Sequence, residues 1–104
     1  MKKEYKFNNE EEYRALVERI QNDKDQYECL HSSRDVLPST RMTIGVIYEA
    51  SFYHVGNGDM NPEGALYLKS RKTPDSFEAE CVIAASDEHD LEVLRNIVRS
   101  SKQL

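Results

Sequence analysis

A chain of 104 residues is the size of one domain, and on general scaling it buries about two-thirds of the surface its unfolded form exposes, so a single core is feasible. Hydrophobic content of 38% against 32% charged residues is polar but periodically grouped, which disfavours disorder, and no apolar run approaches the roughly 18 residues of a membrane span. A net charge of −5 argues against broad nucleic-acid affinity, because that affinity comes from neutralising phosphates with Lys and Arg.

The opening "MKKEYKFNNEEEY" carries lysines without a hydrophobic region behind them, so a secretory signal is not expected. Its "KEYKF" alternates charge with Tyr5 and Phe7, as an edge strand does. Asn8 and Asn9 stand three residues before Glu11 and Glu12, a helix N-terminus signature. Tyr13, Leu16, Val17 and Ile20 then recur at helical spacing, which predicts a helix over 10–21.

Polar residues dominate "NDKDQYECLHSSRDVLPST", and a short helical turn over 26–33 is the expectation before Pro38 ends any regular helix. Residues 41–55 put Met42, Ile44, Val46, Tyr48, Ala50 and Phe52 on alternate positions, a strand long enough to predict a bulge or bend near Ala50 and Ser51. "GALYLKSRK", a turn at "TPDS" and "FEAECVIAA" complete an antiparallel meander of three strands. Ser86 is the expected cap of a last helix with Leu91, Leu94, Ile97 and Val98 on one stripe. The predicted fold is a single α+β domain over 1–104, in the order β-α-β-β-β-α, with both helices on one face of an antiparallel sheet.

Candidate chemistry is sparse. "DMNPEGALYLKS" offers Asp59, Asn61, Glu63 and Gly64 at calcium-loop spacing, but Ser70 stands where an EF-hand needs a bidentate glutamate, and strand-like flanks replace its helices. Pro62 suits a hairpin turn better, so no metal is expected. His31, His54 and His89 lack zinc-protease spacing, and Cys29 and Cys81 lie far apart. "CLHSSR" has one residue too few between Cys29 and Arg34 for a cysteine-phosphatase loop. "GNG" lacks the lysine and helix of a phosphate loop, so no catalytic residue and no cofactor is assigned.

Two surface features remain. Asp75, Glu78, Glu80, Asp87 and Glu88 belong to a stretch without Lys or Arg, either a solvated face or a surface for a basic partner. Tyr53 and Ile47, joined by Tyr67 if the register allows, define an aromatic strand face suited to association. The preferred expectation is therefore a cytoplasmic protein, homodimeric through this face, that binds another protein as an inhibitor, adaptor or regulator. That profile is shared, as a type, by phage and mobile-element antagonists of host systems. One alternative is a homo-oligomer holding a nucleotide or other anion with Arg34, Arg41, Tyr53 and His54, and Asp59 and Glu63 as a polar rim. A second is a small enzyme using His31 or His54.

Overall fold

A computed structural model describes residues 1–37, 45–55 and 64–102, with the backbone alone for 35–37. Along the chain come β1 (Lys2–Phe7), α1 (Glu10–Asn22), β2 (Tyr27–Leu37), β3 (Gly45–His54), β4 (Gly64–Thr73), β5 (Ser76–Ala85) and α2 (Glu88–Ser101). The five strands form one antiparallel sheet in the order β1-β5-β4-β3-β2, and this is an α+β fold.

Each helix begins where the sequence supplies an acceptor. The Asn9 side chain accepts from the backbone N–H of Glu11 and Glu12, and Glu10, Glu11 and Glu12 oppose the positive end of the α1 dipole. The cap of α2 is Asp87 and not Ser86: its carboxylate accepts from the Asp90 N–H at 2.9 Å. A carboxylate there satisfies the same orphan donor as a hydroxyl and adds a favourable charge at the helix start.

The sheet has one strand more than the sequence suggests, because 27–37 is β2 and not a helical turn. Its pairing with β3 shifts register between Cys29 and His31, so Leu30 is an extra residue and the alternation reverses parity halfway along. An edge strand pairs on one side only, and the backbone ladder to β3 overrides a weak local preference. The irregularity expected in β3 is thus found in its neighbour, while β3 runs against β4 without a break from Val46 to His54. Residues 41–44 lie outside the described residues.

The core fills the space between the helices and one sheet face. Phe7, Leu16, Ile20, Leu66, Ile83, Leu94 and Val98 are almost wholly buried, and each such apolar side chain is worth roughly 1.5–3 kcal/mol. On β5 the inward residues Ala79, Cys81 and Ala85 are small, which lets α2 seat closely on the sheet. Lys102 closes the far end of α2 by lying 4.7 Å from the centre of the Phe7 ring.

At Gly64 the sheet and the α2 side chain of Leu94 come close together. A Cβ there would stand 2.8 Å from Leu94 Cδ1 and 2.9 Å from the carbonyl oxygen of Ala84. The carbonyl belongs to the paired strand and cannot yield cheaply. Gly64→Ala should cost about 1–3 kcal/mol in urea unfolding, as overpacking does, and a variant as stable as the parent would show that this seam is looser than described.

Candidate recognition surface

Side-chain parity assigns every strand residue to the helix side or to the opposite face, and over that opposite face no other described element lies. The registers build it as rows running across the strands. One row reads Lys6, Glu80, Lys69, Glu49 from β1 to β3, alternating in sign at every step. Lys69 Nζ stands 3.7 Å from Glu49 Oε1. The row nearer the β4–β5 turn holds Glu78, Arg71 and Ile47. On the other side, Glu4, Val82, Tyr67 and Ser51 form a third row, and Lys2, Ala84, Ala65 and Tyr53 a fourth.

One half of the face is therefore ionic and the other apolar at its centre, with Glu4 and Lys2 at its β1 margin. Tyr67 is 47% exposed, while Val82, Ala84 and Tyr53 are half-buried and Ala65 is buried. Shallow hollows of about 290 Å³ and 540 Å³ flank Lys69, the first lined by Val82 and Ser51, the second by Ile47 and Arg71.

Tyr53, Tyr67 and Ile47 thus share the open face. His54 does not: it points to the helix side, is 3% exposed, and its ring lies 5.1 Å from that of Tyr27. Arg34 is also on the helix side, exposed, at the β2 edge. Arg41, Asp59 and Glu63 lie outside the described residues. The anion site drawn from Arg34, Arg41, Tyr53 and His54 is therefore not assembled, since Tyr53 and His54 face opposite ways.

The acidic stretch does not form one patch. Glu78 and Glu80 stand among Arg71, Lys69 and Lys6 on the open face, Asp75 is in the β4–β5 turn, and Asp87 and Glu88 start α2 at the other end of β5. The histidines are equally dispersed. His31 opposes Ser51 on the open face, His54 is beneath the helices, and His89 is in the first turn of α2. Among the described residues no group of three or more His, Cys, Asp or Glu could hold a metal ion, and no helix is long and apolar enough to cross a membrane.

Lys69 and Arg71, part of the basic knot directly ahead of the acidic stretch in the sequence, form the other half of the ladder. Its signal is present in the sequence: the two-residue turn at Pro74 and Asp75 makes positions equidistant from it partners, which sets Arg71 against Glu78 and Lys69 against Glu80.

Another hollow lies on the helix side, where α1 leaves β3 uncovered. It measures about 420 Å³ between Arg14, Val17 and Gln21 of α1 and Arg34, Tyr48 and Phe77 of the sheet. Glu10 lies at its rim, accepting from Lys72 Nζ at 2.6 Å and Arg14 Nη2 at 3.0 Å. The hydrogen bond from Lys72, helped by both positive charges, holds its carboxyl below the usual range. Tyr13 reaches the floor with its hydroxyl buried and in no hydrogen bond of ordinary geometry, although Ser70 stands near. Burial pushes that phenol far above its ordinary value.

Both cysteines are free, one at the β2 edge and one in the core, with two strands between them in the sheet. Burial pushes the Cys81 thiol up to about 12, so it offers no thiolate near neutrality. A thiol reagent at pH 8 should titrate Cys29 alone in the folded protein and both after denaturation; rapid reaction of both in the native state would contradict the burial of Cys81. Comparison with protein-family models, with curated proteins and with solved structures returns no match to this chain.

Proposed function

We propose that this chain is a small binding protein that works by protein–protein contact through the open face of its sheet, as an inhibitor, adaptor or regulator. The observation that carries this reading is Tyr67, an aromatic ring 47% exposed in the middle of a sheet, beside Tyr53, Val82 and Ala84 and with no described element over it. A solvated sheet face needs no such strip, and Tyr is enriched where surfaces bury themselves against a partner. Rows of alternating charge border the strip as a polar rim borders an interface core.

Tyr67→Glu tests this. The ring supports little of the fold, so stability should change by no more than about 0.5 kcal/mol. Material co-purifying with the tagged parent protein from its own cells should be lost with the variant. An unchanged set of bound proteins would remove the face from the account.

A second reading, binding of a small organic anion, is favoured by the helix-side hollow. It gathers Arg14, Arg34 and Lys72 against the single carboxylate of Glu10, in a chain whose net charge is −5. Guanidinium forks suit phosphate and carboxylate, Tyr48 and Phe77 supply apolar walls, and the buried Tyr13 hydroxyl lacks a full partner. Titration with adenosine monophosphate should raise the melting temperature saturably, inorganic phosphate should do so less, and Arg34→Ala should weaken both effects. Flat curves with both anions would eliminate this site.

A further inference from the structure

We infer that the partner covering the open face is a second copy of this chain, related by a two-fold axis that lies along the strands between β4 and β5. The inference rests on the reading of that face as a protein-binding surface and goes further by naming the occupant and the geometry.

The charged row constrains the geometry. Across β1, β5, β4 and β3 the signs run Lys6 plus, Glu80 minus, Lys69 plus, Glu49 minus, a pattern that reverses sign about its own midpoint. A two-fold along the strands at that midpoint, between β5 and β4, lays each position over its mirror position in the copy. Lys69 then meets the partner's Glu80, and Lys6 meets the partner's Glu49. In the row nearer the turn, Arg71 meets the partner's Glu78 by the same operation.

The centres of the apolar rows match themselves under this axis as well, and Glu4 at their β1 end comes over the partner's Ser51. Tyr67 comes over the partner's Val82, at the hollow of about 290 Å³ that Val82 helps to line. Ala65 comes over the partner's Ala84, which permits close approach, and Lys2 comes over the ring of the partner's Tyr53. Cross-strand pairing within one sheet explains why neighbouring charges alternate. It does not require that the apolar rows be self-complementary about the same line.

Other symmetric placements fail on charge. An axis along β4 would set Lys69 against the partner's Lys69, and one along β5 would oppose Glu80 to itself. An axis across the strands through the charged row opposes every charge to its own copy. Moving it between the charged and apolar rows places Arg71 over the partner's Ala65 and leaves charges buried without partners. Such like-charge or unpaired contacts oppose association, so the surviving placement is set by electrostatics.

Size is adequate. The four strands that the axis pairs, spaced about 4.8 Å apart, over about eight residues at roughly 3.3 Å, give a footprint of roughly 500 Å². Side-chain relief raises this toward the about 800 Å² per partner of a standard interface. Two sheets stacked face to face, about 10 Å apart and crossing at about −30°, keep facing residues in register near the centre, where these pairs lie.

The test uses the full chain in sedimentation equilibrium and native mass spectrometry. The parent should be a dimer at micromolar concentration. Lys69→Glu alone and Glu80→Lys alone should each weaken dimerisation about tenfold or more, since each opposes like charges twice across the axis. An equimolar mixture of the two variants should recover a dimer containing one of each, because the reversed charges then meet opposites again. Circular dichroism verifies that each variant is folded, and Tyr67→Arg provides an independent disruption should either charge reversal fail to fold. A parent that stays monomeric to several hundred micromolar, or a mixture that regains no mixed dimer from folded monomeric variants, overturns the inference. If the parent is monomeric yet still captures another protein in a Tyr67-dependent way, the dimer alone is refuted; if capture is also absent, the reading of the face falls with it.

Discussion

The turn at Pro74 and Asp75 fixes the register of β4 against β5, and both faces of the molecule depend on that register. A connection of two residues pairs Thr73 with Ser76, and every later partner follows by counting outward from it. Side chains alternate with a period of two, so a slip of one residue would carry Leu66, Leu68, Cys81 and Ile83 out of the core and bring Tyr67 and Val82 into it. Burial of the first set under the two helices and the turn geometry therefore enforce the same pairing. The same count that buries the core places Lys69 opposite Glu80 and Arg71 opposite Glu78, so the charge ladder is a consequence of how the hairpin closes.

Much of this was legible in the sequence wherever one local rule acted alone. The stripe of Tyr13, Leu16 and Ile20 and the asparagine ahead of it define α1, and the alternation from Phe77 to Ile83 defines β5. The side taken by Ile47 and Tyr53 follows from parity within β3, while that of Tyr67 needed the hairpin register. β2 was not legible, for a physical reason. The extra residue at Leu30 puts Tyr27 and Cys29 on the helix side at odd positions, then Ser32 and Arg34 on the same side at even ones, which erases the two-residue pattern. That change of parity also separates His31 from His54. Ser86 and Asp87 were both able to cap α2, and the choice rests on backbone geometry that composition does not carry.

The two helices cover the sheet unevenly. α2 rests on β4 and β5, α1 reaches β1, β5 and the start of β2, and β3 receives little from either. The small inward side chains of β5 draw α2 to that side, and the polar edge of α1 faces the strands it leaves open. The helix-side hollow is thus the gap created by asymmetric packing, with Tyr48 and Phe77 half-buried at its walls. Glu10 bridges part of that gap by holding Lys72 from β4 and Arg14 of its own helix together.

Self-association of a single-layer sheet has two routes, by its edges or by its face. Both edges carry features that oppose strand addition. β1 presents Lys2, Lys3 and Lys6 along its length, and β2 is interrupted at Leu30, which breaks the straight run of backbone groups another strand would need. Lysines and bulges are the common protections of exposed edges. The face has no such protection. Its charges occur as opposite pairs in place of one repelling sign, and beside them the exposed Tyr67 neighbours the smaller Val82, Ala84 and Ala65. Edges that resist addition fit the pairing inferred above, which joins two faces into a closed pair in place of a growing sheet. In that arrangement the helices of both copies point outward, and the helix-side hollow stays open to solvent in each.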